Sequence, residues 1–141
     1  NYNLETSHLI PALIRKFYNG FKDPSNKIEI WGDGEQTRSF TFINDCIEGT
    51  LRLMNSDVRE PINIGSDEMI SINQMVEIIE LLANYRVDKK YDLNAPKGVR
   101  GRNSDNEKIK SELLWAPSIS LLKGLEITYE WIESQVKRET N

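Results

Sequence analysis

Two arginines, each closing a glycine-spaced run, are the residues of this chain whose type and spacing suggest chemistry. Arg38 ends Trp31-Gly-Asp-Gly-Glu-Gln-Thr-Arg38, and Arg102 ends Lys97-Gly-Val-Arg-Gly-Arg102. A guanidinium is permanently charged and presents a planar fork of donors, which suits a diphosphate better than an ammonium does. Gly32 and Gly34 would let main chain lie close to something bound beside Arg38. On residue types alone a glycine-rich turn is more often only a turn. The second cluster shifts that balance. Between Lys97 and Lys110, five basic residues (Lys97, Arg100, Arg102, Lys108, Lys110) face two acidic ones (Asp105, Glu107), in a chain with 18 Lys+Arg and 22 Asp+Glu. A local basic loop in an acidic protein fits a small anionic ligand rather than nucleic acid, which wants a broad basic surface.

Other chemistries are excluded by count. Cys46 is the single cysteine and His8 the single histidine, so neither an intramolecular disulfide nor a His/Cys metal site can form. Cys46 falls in an apolar helical segment, where a small packed side chain is expected. No apolar run approaches the roughly 18 residues of a membrane span, and the first residues form no basic-then-apolar leader. The sequence therefore points to a soluble, cytoplasmic protein without a membrane partner. At 141 residues it suits one domain with its own core.

Arg38 needs a turn and a strand to hold it. The apolar run 28–31, the Gly-Asp-Gly turn and the period-two alternation of 38–42 predict a hairpin with Arg38 at its mouth. Before it, Leu9, Ile10, Leu13, Ile14, Phe17 and Phe21 recur at helical spacing. They predict a helix to about residue 19 or 20, capped by Thr6 or Ser7, with Pro11 tolerated in the first turn. Residues 22–27 read as a polar loop. A second helix is predicted from Asn44 to about Met54, with Asn44 or Asp45 as cap, and 61–64 read as a short strand stopped at Gly65.

Ser71-x-x-Gln74 is a capping box before the stripe Ile72, Met75, Val76, Ile79, Leu82, Ala83, so a helix is expected over 71–84. Residues 87–93 read as a strand. Ser104-x-x-Glu107 reads as a second capping box, opening a helix that must stop before Pro117. Ser120 opens the last helix, whose polar tail, 137–141, is expected to fray. Five helices and four short, scattered strands make a mixed α/β chain. Strands this short imply that some apolar faces pack on something else, above all 61–64.

Three blocks carry a resemblance: Trp31-Gly-Asp-Gly-Glu-Gln-Thr-Arg-Ser-Phe-Thr-Phe-Ile43, Arg59-Glu-Pro-Ile-Asn-Ile-Gly-Ser-Asp-Glu-Met69 and Gly98-Val-Arg-Gly-Arg-Asn-Ser-Asp-Asn106. In this order they resemble the carboxyl-terminal half of the extended short-chain dehydrogenase/reductases that act on nucleotide sugars, and within them the GDP-mannose 3,5-epimerase branch. The likeness covers nearly the whole chain. It implies a small mixed α/β substrate-binding domain of an NAD-dependent sugar epimerase/dehydratase, lacking the Rossmann domain, with residues 44–65 packing on or completing that missing domain. It also implies NAD held upstream, a nucleotide-diphosphate sugar as substrate, and a homodimeric whole enzyme. The isolated chain should then be inactive.

By the same resemblance Trp31, Gln36, Thr37 and Arg38 correspond to substrate-contacting positions, Arg102 to an arginine on the diphosphate, and Lys16 to a basic substrate-binding position. The segment Ser7-His-Leu-Ile-Pro-Ala-Leu-Ile-Arg-Lys16 is more similar to the GDP-L-fucose synthases. There the position of His8 is implicated as an acid/base, a role that suits imidazole. Without the resemblance His8 reads as a capping or surface residue. The catalytic Tyr-x-x-x-Lys of these enzymes would lie upstream, and the spacing matches at Tyr18/Lys22 and Tyr85/Lys89 read as chance.

Overall fold

A computed structural model describes residues 1–4, 6–20, 25–96 and 98–139. In chain order the elements are α1 (Leu9–Gly20), β1 (Lys27–Trp31), β2 (Thr37–Ser39), α2 (Ile43–Met54), β3 (Met69–Ser71), α3 (Ile72–Ala83), β4 (Asp88–Asp92), β5 (Gly101–Arg102), α4 (Glu107–Leu113) and α5 (Leu121–Glu139). The mixed α/β class expected from the sequence is the one observed.

The core lies where the helical stripes meet one face of β1. Leu13, Ile14 and Phe17 of α1, Met75, Val76 and Ile79 of α3, and Leu125, Ile132 and Val136 of α5 are buried together with Ile28 and Ile30. Period-two alternation in β1 buries Ile28 and Ile30 and leaves Lys27, Glu29 and Trp31 outside. α3 begins as its sequence dictates. Ser71 accepts from the Gln74 amide, and the Gln74 side chain accepts in return from the Ser71 amide. The helix ends at Asn84 in the left-handed region, φ 49°.

The hairpin is not what forms. β1 pairs in parallel with β4, and β2 pairs antiparallel to β3 and parallel to β5, so the glycine turn joins two separate sheets. Alternation and a tight turn announce two strands, but each finds its partners far along the sequence. The turn is instead latched to the start of α3. The amides of Asn73 and Ile72 donate to the carbonyls of Gly34 and Gln36 at 3.0 and 3.2 Å. Asn73 Nδ2 donates to the Asp33 carbonyl at 3.2 Å and to Glu35 at 2.6 Å. Gly34 has φ 75°, and a Cβ there would stand 2.1 Å from Asn73 Oδ1, so both conformation and space require glycine.

Several local expectations are corrected. Thr6 and Ser7 do not cap α1; the Ala12 amide donates to the His8 carbonyl, which makes His8 the first half-helical residue. Phe42, not Asn44 or Asp45, is the N-cap of α2, and no side chain caps it. Asp45 is buried, and its carboxylate accepts from the amides of Ser118 and Ile119 at 3.1 and 2.8 Å, tying α2 to the chain before α5.

Residues 61–64 form no strand among the described residues. The second capping box is absent. Asn106 is the N-cap of α4 without a side-chain bond, because the Ser104 hydroxyl is turned to Asn106 Oδ1 at 2.8 Å. The last helix persists to Glu139, whose carboxylate accepts from Arg15 at 3.0 Å and from the Tyr2 hydroxyl. Phe21, residues 22–24, Lys97 and residues 140–141 lie outside the described residues. Among those described, no helix is long and apolar enough to cross a membrane, and no group of three or more His, Cys, Asp or Glu could hold a metal.

Candidate functional site

The parallel pairing of β2 with β5 sets Thr37 beside Gly101 and Arg38 beside Arg102. Side chains at paired positions of adjacent strands leave the sheet on the same side, with strands about 4.8 Å apart. The two arginines singled out from opposite parts of the sequence are thus neighbours. Both line a cleft of about 260 Å³ with Ser39, Asn63, Ile64, Gly65, Asn103 and Ser104. Like charges this close repel, and a shared anion turns the repulsion into attraction. Arg38 is partly buried and its Nη1 donates to the Thr37 carbonyl at 2.6 Å, while Arg102 is exposed. Gly98, at φ 64°, lies over Arg38: a Cβ there would come within 3.4 Å of Nη2.

Arg38 also lines a second cleft, of about 390 Å³, between α1 and β1. Lys16, Trp31 and Gln36 line it together with Ser7, Leu9, Glu29, Ile30, Ile72 and Pro96. This volume falls in the range of small-molecule sites. Trp31 is 54% exposed, and its indole donates to Glu29 Oε1 at 3.1 Å. Lys16 Nζ is 3.5 Å from the Glu29 carbonyl oxygen. Gln36 Nε2 donates to the Trp31 carbonyl at 2.8 Å, whereas Gln36 Oε1 and Ser7 Oγ are buried without a hydrogen-bond partner among the described residues. Such orphaned atoms are rare in protein interiors and carry a desolvation cost.

Five of the residues picked from sequence therefore share two adjoining clefts: Lys16, Trp31, Gln36, Arg38 and Arg102. Two stand apart. The amide and hydroxyl of Thr37 both face the Arg100 carbonyl, at 2.8 and 3.5 Å, which fastens β2 to the strand bearing Arg102. His8 is exposed and lines neither cleft, although its neighbours Ser7 and Leu9 line the larger one. Sequence reading missed Ser7 and Glu29. The signal for Glu29 was present, since it lies two residues before Trp31 on an alternating strand.

The remaining basic residues of the second cluster are mostly committed to acids: Arg100 to Asp33 at 3.9 Å, Lys108 to Glu60 at 3.1 Å and Lys110 to Asp67 at 3.9 Å. The Tyr85/Lys89 pair is structural. Tyr85 donates to the Gly20 carbonyl at 3.3 Å and Lys89 stands 3.6 Å from Glu80. A larger hollow of about 720 Å³ between α2 and α4 holds none of the candidate residues and is walled by Ile47, Leu51, Leu113 and charged side chains. The glycine turn after β1 runs into β2 rather than a helix, and Asn73 fills the space beside Gly34.

Residues 1–65 match the NAD dependent epimerase/dehydratase family. The chain is 53% identical over 115 residues to GDP-mannose 3,5-epimerase of Arabidopsis thaliana, an alignment covering 82% of this chain and 30% of that protein. It is 30% identical to putative GDP-L-fucose synthase 2 of the same plant, over 99% of this chain and 43% of the relative. Among solved structures, UDP-glucuronic acid 4-epimerase of Bacillus cereus, in complex with UDP-glucuronic acid and NAD, superposes with a TM-score of 0.81 at 30% identity, over 92% of this chain and 40% of that one. The chain belongs to the NAD-dependent epimerase/dehydratase family. Its sequence is more similar to the GDP-mannose 3,5-epimerase than to the GDP-L-fucose synthase, and it spans less than half the length of each.

Proposed function

We propose that this chain is the nucleotide-sugar-binding portion of an NAD-dependent GDP-sugar epimerase of the GDP-mannose 3,5-epimerase kind, inactive on its own. The observation that carries the reading is the side-by-side register of Arg38 and Arg102. A diphosphate lying between them would take charge-assisted hydrogen bonds from both forks. Lys16, Trp31 and Gln36 would contact the rest of the nucleotide in the adjoining cleft, and Thr37 would act by holding β5 in place. His8, at the start of α1 beside that cleft, would exchange a proton at a sugar carbon next to a carbonyl.

NAD would be held by a Rossmann domain outside these residues, a reading supported by the glycine turn after β1 running into β2 rather than into a helix. Two features support docking of residues 44–65 on such a domain. Ile43, Ile47, Leu51 and Met54 of α2 are all exposed, and 61–64 takes part in no strand pairing among the described residues. The complete enzyme would be a cytoplasmic homodimer.

A second reading, a GDP-L-fucose synthase-like epimerase and reductase, is favoured by the likeness to that enzyme along 99% of the chain. The two are separated by whether the complete enzyme consumes NADPH. The binding claim is tested by calorimetry of the chain with GDP. Arg38→Ala and Arg102→Ala should each weaken binding about tenfold to a hundredfold. Unchanged affinity in both would overturn the reading, as would sugar turnover by the isolated chain.

A further inference from the structure

The cleft beside Trp31 contains a carboxylate that a diphosphate does not explain. Glu29 and Trp31 lie two residues apart on β1, both on its outer side, and the Trp31 indole donates to Glu29 Oε1 at 3.1 Å. Both line the cleft shared by Lys16, Gln36 and Arg38. An ionised carboxylate accepts hydrogen bonds and donates none. Next to a dianionic group it would be repelled. Within this cleft Glu29 therefore complements a neutral part of the ligand that presents hydrogen-bond donors.

Sugar hydroxyls and the nucleobase both meet this condition; the half-exposed Trp31 indole bonded to Glu29 favours a planar ring there, and the bases differ in the donors they present. Guanine carries two donors side by side on one edge, N1–H and the 2-amino group. Uracil and thymine set a single N–H between two carbonyls, and adenine and cytosine set an amino group next to a ring-nitrogen acceptor. A carboxylate offers about four lone-pair sites on two oxygens, so the bond from the indole leaves room for both guanine donors. The exposed face of Trp31 supplies a stacking surface for the ring.

We propose that Glu29 reads guanine: its carboxylate accepts N1–H and the 2-amino group of a base stacked on Trp31, and so selects guanosine over other nucleoside diphosphates. The inference rests on the nucleotide-sugar reading and adds a specificity residue which that reading does not use. Calorimetric titration of the 141-residue chain with GDP, IDP, XDP and UDP tests it. IDP lacks the 2-amino group, and XDP has a carbonyl in its place.

The native chain should bind GDP at least about tenfold more tightly than the other three. In Glu29→Gln the amide oxygen still accepts N1–H while its nitrogen donates to the 2-carbonyl of xanthine, so the preference should reverse to XDP over GDP. Glu29→Ala should level GDP and IDP, with circular dichroism unchanged because the residue is exposed. Equal binding of GDP and IDP by the native chain, or a GDP-to-XDP order untouched by Glu29→Gln, overturns the assignment and leaves the diphosphate reading standing. If none of the four binds, the nucleotide-sugar reading fails and this inference with it.

Discussion

α2 and α3 are both helices of 12 residues with one apolar stripe, yet the structure uses the stripes in opposite ways. In α3, Met75, Val76 and Ile79 are fully buried against α1 and α5. In α2, Ile43, Ile47, Leu51 and Met54 are 51–74% exposed, and the helix buries only Asp45 and Gly49. Its attachments are local: the Asp45 carboxylate on two amides, and a backbone approach at Gly49 so close that a Cβ would stand 2.6 Å from Trp115. Periodicity in a sequence shows that a face is apolar. It does not say whose surface receives that face, and here one stripe is satisfied inside the chain while the other remains open.

Substitutions can sharpen that contrast. Ile79→Ala should cost about 2–5 kcal/mol in chemical denaturation, because the side chain is fully enclosed and the cavity cannot collapse. A loss below about 1 kcal/mol would show that α3 is not the centre of the core. Asp45→Ala should cost about 2–3 kcal/mol by leaving the Ser118 and Ile119 amides unpaired. It tests whether one carboxylate, rather than the apolar stripe, anchors α2. Leu51→Ser should change the stability of this chain by no more than about 0.5 kcal/mol. In the longer enzyme proposed above, where the stripe is covered, the same change should cost about 2 kcal/mol or more.

What could be read in advance follows the range of the interactions. The α3 capping box is complete within four residues, and the α1 and α5 stripes need only helical periodicity, so all three were legible. The glycine turn was legible as a turn but not as a bridge between sheets, because β1 and β2 take their partners from 88–92, 69–71 and 101–102. Ser104-x-x-Glu107 had the letters of a cap, but a bond to Asn106 took the hydroxyl first. Arg38 and Arg102 were recognisable as a pair of glycine-spaced guanidiniums, and the register of two short strands brings them together. His8 and Thr37 were chosen by resemblance, and neither side chain enters the clefts.

β5 is only two residues long, and the position that pairs it to β2 sets one cation against another. Across this seam the carbonyl of Arg100 also accepts from the Thr37 amide. An anion seated across it, as proposed above, would act as mortar, and the strand and the glycine loop before it would stiffen as the guest arrives. The heat released on filling the seam would then include a small amount of folding, which would lower the heat capacity of the complex and slow amide exchange around residues 98–103.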